Sequence, residues 1–178
     1  MPVVALVNTG SADGLTERAT AFRKGLSETG FAENKNVTVE YHWLEGKTDQ
    51  LPMAIGDLVR RQVAVIAVPG SVVAALAAKA ATTTIPIVFG VPEDPVSLGL
   101  VSNLARPGGN ATGINTFSQE VIGKRLRLLR DLVPKAVRLA VFVNPSNASS
   151  TPNDIAGPTK SGPCHGPTNT KDLQRYDQ

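Results

Sequence analysis

The sequence predicts an α/β protein with a doubly wound open parallel sheet, and three observations support this prediction. Apolar segments of the length of one strand alternate with segments in which apolar residues recur at helical spacing. Most strand segments are apolar throughout, which is typical of a parallel sheet covered on both faces. Single helices between consecutive strands supply the right-handed crossovers that parallel strands need.

Six strands follow from this pattern. Val37, Val39, Tyr41 and Trp43 alternate with polar residues, which predicts a strand with two unlike faces near a sheet edge. The other strand segments are mainly short apolar runs bounded by turn residues. The predicted strands lie at 3–7, 37–43, 63–68, 85–89, 111–114 and 139–143.

Five helices fit between or after these strands. The first has apolar residues at helical spacing from Leu15 to Leu26, and Gly30 follows as its C-terminal cap. A short helix is also expected from Val96 to Leu104, after a loop that contains two prolines. The predicted helices lie near 15–29, 51–62, 71–81, 96–104 and 122–133.

Composition excludes several classes of function. The net charge of +3 is small and scattered over helix faces, which argues against nucleic-acid binding. Cys164 is the single cysteine and there are two histidines, so neither an intrachain disulfide nor a zinc site is expected. No apolar stretch reaches the length of a membrane span. We therefore expect neither a metal nor a cofactor.

Three loops are candidates for a binding site, because ligands of open parallel sheets bind at the carboxyl ends of the strands. Each loop is small or polar, and each follows a buried strand. The candidate residues in these loops are Thr9, Ser11, Gly70, Ser71, Glu93 and Asp94.

Each candidate has both a binding and a structural interpretation. Ser71 and the free N–H groups of the helix that it begins would favour an anion such as a carboxylate. Equally, Ser71 would serve as the N-cap of that helix, and Thr9 or Ser11 would cap the first helix. Glu93 and Asp94 would hold a ligand ammonium group, or would complement a helix dipole. The sequence alone leaves these alternatives open.

Signatures of common enzyme classes are missing from the sequence. It contains no dinucleotide fingerprint, no phosphate-binding P-loop and no nucleophile elbow. Glu93 and Asp94 are adjacent in a loop, which is a poor arrangement for general acid–base catalysis. The sequence therefore favours a binding protein over an enzyme.

Four ordered motifs resemble one family, the ABC-transporter substrate-binding proteins of the tryptophan/tyrosine-binding type. The similarity runs in one register from about Val3 to Asn147. The motifs are DLVRRQVAVIA at 57–67, AAKAATTTIPIVF at 77–89, DPVSLGLV at 94–101 and NLARPGGNATG at 103–113.

The resemblance implies a type I periplasmic binding fold, in which two α/β lobes hold a small solute and present it to an ABC permease. An amino acid or a similar carboxylate is the expected solute. The location would be the periplasm or a lipid-anchored position outside the inner membrane, although this chain carries no export signal. By the same resemblance, Asn115 would lie at the crossover, and Asn144 and Asn147 would face the solute from the second lobe.

The resemblance also predicts a division of the chain. Residues 1–117 would form the first lobe, and 118–147 the hinge helix and first strand of an incomplete second lobe. Residues 148–178 lose the apolar periodicity and are rich in Pro, Ser, Thr and Gly, which predicts a disordered tail. We hypothesise a truncated or frameshifted gene product with impaired binding. Apolar second-lobe remnants would then favour self-association.

Two other classes of function are compatible with the predicted fold. A ligand-sensing domain of a regulator uses the same fold, but it would need a DNA-binding or signalling segment. A small flavodoxin-like or isomerase-type enzyme would need a cofactor loop or paired catalytic groups. The binding component of an ABC importer remains the favoured interpretation.

Overall fold

The computed structural model describes residues 1–116, 118, 121–136, 138–141 and 174–177. Contacts divide the chain into two compact units, Met1–Phe117 and Ser118–Gln178. Within the described residues, no helix is both long enough and apolar enough to span a bilayer.

The first unit is built on a five-stranded sheet in which every pair of neighbours is parallel. The spatial order is β2-β1-β3-β4-β5, so the chain moves one way from β1 to β2 and the other way from β3 to β5. This reversal defines a doubly wound sheet and confirms the predicted fold class. The strands are β1 (Val3–Asn8), β2 (Thr38–Trp43), β3 (Val65–Pro69), β4 (Ile87–Val91) and β5 (Ala111–Asn115).

Three α-helices connect the first four strands. They are α1 (Ala12–Glu28), α2 (Leu51–Arg60) and α3 (Val72–Ala81), with a single 3₁₀ turn at Thr48–Gln50 ahead of α2. Gly30 has φ +88° and follows α1 as predicted. The N–H of Phe31 donates to the carbonyl of Leu26 at 2.9 Å across this glycine, which closes the end of the helix.

The helices cover the two faces of the sheet unequally. On one face, α2 and α3 enclose the larger core with side chains of β1, β3 and β4. Three alanines of α3 are fully buried there, and their small size allows the helix to pack closely. On the other face, Phe22 and Leu26 of α1 pack on a smaller cluster that includes Val4 and Ala67.

The α1 face of the sheet is open at β4 and β5. Val88 pairs with Ala67 of β3, so it lies on this face, and 42% of its surface is exposed. Ile114 of β5 is 69% exposed. On the opposite face, Gly113 lies so close to Phe89 that an added Cβ would overlap the Phe89 carbonyl. Gly113 therefore sets the close pairing of β5 with β4.

The helix predicted from Val96 to Leu104 is wrong, because the structure has turns and bends there. Gly99 adopts a left-handed conformation with φ +71°, which ends the first turn. The N–H of Leu100 donates to the carbonyl of Pro95 at 2.9 Å, and Leu100 is fully buried. The chain therefore reverses to place Leu100 in the core instead of continuing as a helix.

The second unit contains α4 (Ile122–Leu132) and a two-stranded antiparallel sheet of β6 (Arg138–Val141) and β7 (Gln174–Asp177). Several leucines of α4 are exposed, Leu132 to 80% and Leu128 to 53%. Of the tail predicted to be disordered, only the strand β7 falls among the described residues; the rest lies outside them.

Candidate functional site

The strand order brings the predicted loops together at the carboxyl end of the sheet. β1, β3 and β4 are consecutive neighbours, and all five strands point the same way. The loops that follow β1, β3 and β4 therefore emerge side by side, which is the usual position of a ligand site in this class of sheet.

Asn8, the last residue of β1, joins the first two loops. Its side chain is 4% exposed, and its Nδ2 donates to the carbonyl of Pro69 at the end of β3 at 2.5 Å. Its Oδ1 accepts from the N–H of Gly10 at 2.8 Å. One buried amide thus fixes the position of the loop after β1 relative to the end of β3. Asn8 was not among the predicted site residues.

Thr9 and Ser71 form a pair of hydroxyl groups across these two loops. Thr9 Oγ1 and Ser71 Oγ are 3.2 Å apart, although the residues are 62 positions apart in the chain. Ser71 is 6% exposed, and its Oγ also accepts from the N–H of Ala74 at 3.3 Å. Ser71 is therefore the N-cap of α3 and, at the same time, a partner of Thr9.

Ser11 has the structural role that the sequence left open. Its Oγ accepts from the N–H of Gly14 at 3.3 Å, so Ser11 is the N-cap of α1. The residue itself is exposed. This end of the sheet thus carries the N-termini of α1 and α3, where partial positive charge favours an anion.

Gly70 lies between β3 and Ser71 in a left-handed conformation, with φ +87°. Its N–H donates to the carbonyl of Gly90 at 2.7 Å, which fixes the loop to β4. The guanidinium of Arg18, from α1, lies against Gly70: a Cβ added to this glycine would be 3.3 Å from Arg18 Cζ. Arg18 was not predicted as a site residue, because its contact depends on how α1 crosses the sheet.

The loop after β4 carries the two predicted acidic residues. Asp94 Oδ1 accepts from the N–H of Val96 at 3.0 Å, so this carboxylate stabilises the turn that follows. Glu93 is half-buried, as is Asn115 at the end of β5. The register pairs Val91 of β4 with Asn115, which places Asn115 at the same end of the sheet as the three loops.

The remaining predictions cannot be placed in the site. Asn144 and Asn147 lie outside the described residues. Among the residues that the structure describes, no three side chains of His, Cys, Asp or Glu are grouped so as to hold a metal ion.

The edge strand β2 carries two groups whose pKa differs from its ordinary value, Glu40 and Tyr41. A hydrogen bond from Arg61 lowers the pKa of Glu40 below its ordinary value, with a smaller contribution from His42. Burial is the main cause that raises the pKa of Tyr41, whose ring stacks on Trp43 with centroids 5.8 Å apart. The Arg61–Glu40 pair joins the end of α2 to the edge strand β2, which is a structural role.

The geometry defines an α/β lobe whose sheet carries polar loops and two helix N-termini at its carboxyl end, and comparison with known proteins gives the family. Residues 3–154 match the family model described as ABC transporter substrate binding protein. The chain belongs to this family, whose members are substrate-binding proteins and not enzymes.

Individual relatives agree with this assignment. A tyrosine-binding protein of Clostridioides difficile is 30% identical over 139 residues, which are 76% of this chain and 39% of that protein. A solved structure of a conserved domain protein from Vibrio cholerae is 26% identical, with a TM-score of 0.67, and covers 76% of this chain and 45% of that chain. The chain thus spans less than half the length of these relatives.

More distant solved structures share the fold. One is an ABC domain from Streptococcus pneumoniae in complex with L-Trp, with 23% identity and a TM-score of 0.58 over 64% of this chain and 38% of that chain. Another is the ligand-free, open structure of a substrate-binding protein with adhesive properties from Clostridium difficile. It is 20% identical, with a TM-score of 0.59 over 76% of this chain and 54% of that chain.

Proposed function

We propose that residues 1–117 are the first lobe of the solute-binding component of an ABC importer, and that they bind an amino acid or a similar carboxylate. The observation that carries this proposal is the Thr9–Ser71 hydroxyl pair, 3.2 Å apart between two loops of the sheet's carboxyl end. Two hydroxyls beside two helix N-termini offer several hydrogen-bond donors to one anionic group. The names of two relatives, a tyrosine-binding protein and a complex with L-Trp, support an aromatic amino acid.

The test is a titration of this chain, labelled with ¹⁵N, with L-tryptophan, L-tyrosine and L-leucine. Amide NMR shifts detect weak binding, which suits a site of which one lobe supplies only a part. We expect shifts in the loops after β1 and β3, and a loss of these shifts in Thr9→Val. Thr16→Val is the matched control, because Thr16 is an exposed threonine of α1 whose hydroxyl bonds to the helix backbone.

Ser71 needs two variants, since its hydroxyl also caps α3. Ser71→Ala removes the cap and should lower the free energy of unfolding by about 1 kcal/mol. Ser71→Gly should lower it by only about a few tenths of a kcal/mol. If the hydroxyl binds the ligand, both variants lose affinity although their stabilities differ. Absence of amino-acid-dependent shifts in the wild-type chain would contradict the proposed function.

The partners and location follow from the same proposal. The protein acts outside the cytoplasmic membrane and delivers its solute to an ABC permease. Residues 118–147 correspond to the hinge helix and the first strand of a second lobe, with Asn144 and Asn147 as its candidate ligand contacts.

Self-association through α4 is a further part of the proposal. Leu128 and Leu132 expose 53% and 80% of their surfaces, and exposed leucines on one helix favour contact with a second copy. Analytical ultracentrifugation of the chain and of Leu132→Glu tests this: we expect the variant to sediment as a smaller species. Equal sedimentation as monomers would contradict it.

A further inference from the structure

The Arg18 guanidinium occupies an unusual position for an exposed helix residue. It extends from α1 to the turn at Gly70. A Cβ added to Gly70 would be 3.3 Å from Cζ and 3.8 Å from Nη2 of Arg18, and it would overlap Nη1. Because Gly70 has no side chain, the guanidinium lies directly against the backbone. The next residue in the chain is Ser71, whose Cα is about 3.8 Å from that of Gly70.

Other arginines near α1 and α2 have visible partners. Arg23 lies over the Tyr41 ring, 6.0 Å from its centroid. Arg60 and Arg61 both pair with Asp57, and Arg61 also bonds to Glu40. Within the described part of the chain, Arg18 has neither an ion pair nor a hydrogen bond. Its five N–H donors are therefore available at the carboxyl end of the sheet.

We infer that Arg18 is a specificity-determining residue that binds the carboxylate of the solute. This inference rests on the proposed function, because it assigns a residue to that same site. A carboxylate that accepts from the hydroxyls of Thr9 and Ser71 lies within reach of the long Arg18 side chain, since Gly70 and Ser71 are consecutive. The planar guanidinium matches a carboxylate with two parallel hydrogen bonds.

The inference predicts the chemical selectivity of the site. An amino acid should bind better than the amine that has the same side chain but no carboxylate, such as tryptamine compared with tryptophan. Arg18 would supply a large part of that preference, because charge-assisted hydrogen bonds are about twice as strong as neutral ones. Thr9 and Ser71, which are uncharged, discriminate less between the two ligands.

The experiment measures affinities for tryptophan and tryptamine, and for tyrosine and tyramine, in the wild type, Arg18→Gln and Arg18→Lys. We expect Arg18→Gln to weaken binding of the amino acids by about tenfold to a hundredfold while changing binding of the amines little. Arg18→Lys keeps the charge but loses the planar fork, so an intermediate affinity is expected.

Arg106→Gln is the matched control for charge. It also removes one exposed arginine, but it lies in the turn before β5, at the opposite end of the sheet. We expect wild-type affinities in this variant. Circular dichroism of each variant verifies the fold, which should be intact because Arg18 is exposed.

The outcomes separate this inference from the function on which it rests. If Arg18→Gln binds tryptophan as the wild type does while Thr9→Val does not, Arg18 has no role and the proposed function stands. Equal losses for tryptophan and tryptamine would also overturn the inference, since they indicate a merely structural role. If the wild type binds no amino acid, the proposed function fails and this inference fails with it.

Discussion

Replacing Asn8 by alanine tests the buried amide that joins the ends of β1 and β3. A matched comparison exists within the chain, because Asn36 makes the same two kinds of hydrogen bond. Its Nδ2 donates to the carbonyl of Gly30 at 2.8 Å, and its Oδ1 accepts from the N–H of Ala32 at 2.7 Å. Asn36 is exposed, whereas Asn8 is 4% exposed. The two variants therefore differ mainly in burial.

The expected magnitudes follow from what remains after truncation. In Asn8→Ala, the carbonyl of Pro69 and the N–H of Gly10, which are partly buried, lose the partner that the buried Asn8 side chain supplies. Each such group costs about 1–3 kcal/mol, so the free energy of unfolding should fall by about 2–6 kcal/mol. In Asn36→Ala, water replaces both lost bonds, and the expected loss is about 1 kcal/mol.

Urea denaturation followed by circular dichroism measures the difference. With a slope of about 2 kcal/mol per molar urea, Asn8→Ala should unfold at a midpoint at least about 1 M below that of the wild type. Asn36→Ala should move the midpoint by only about 0.5 M. Equal shifts for the two variants would refute the reasoning, because they would show that burial does not set the cost.

Three further predictions concern the rest of the lobe. Gly113→Ala should destabilise the protein by about 3 kcal/mol or more, because its Cβ would overlap the backbone of β4. Gly25→Ala, in open space on α1, should instead stabilise the protein by about 0.5–1 kcal/mol. Thermal melting distinguishes the two variants, because the melting temperature should fall in the first and rise in the second. Glu40 has a lowered pKa in the folded state, so its stabilising contribution is present above the unfolded-state pKa of 4.5 and is lost as pH falls through the folded-state value. The difference in melting temperature between wild type and Glu40→Gln should therefore shrink below about pH 4.5. A difference that does not depend on pH would contradict this prediction. Glu17→Gln, which removes an exposed carboxylate of α1, is the control for net charge.

The sheet was predictable because its signal is local. Apolar runs of strand length, separated by single helices, leave few arrangements other than a parallel sheet with right-handed crossovers. The edge position of β2 was also readable from the alternation of Val39 and Tyr41 with polar neighbours, and the observed order confirms it. The segment after β4 was mispredicted because burial of Leu100 favours a tight turn over the helix that its spacing indicated.

The candidate site was predictable only in part, since the contacts that assemble it are between residues distant in the sequence. Sequence identified Thr9 and Ser71 separately, but their 3.2 Å contact depends on β1 and β3 being neighbours. Asn8 gave a weak signal, as a polar residue directly after an apolar run. Arg18 gave none, because it is one of several charged residues on an exposed helix face. Which arginine reaches Gly70 is decided by the path of α1 over the sheet.

The hydroxyl pair lies where the chain reverses its direction across the sheet. From β1 the chain continues into α1, which packs with the smaller core, and from β3 it continues into α3, which packs with the larger core on the other face. The loops after two neighbouring strands therefore continue toward opposite faces of the sheet, which is the arrangement at which open α/β sheets usually bind their ligands. The bond from Asn8 to Pro69 holds the two strand ends together, and the hydroxyls of Thr9 and Ser71 join the loops that follow them. The candidate site therefore combines residues from both halves of the sheet, which explains why no continuous sequence motif marks it.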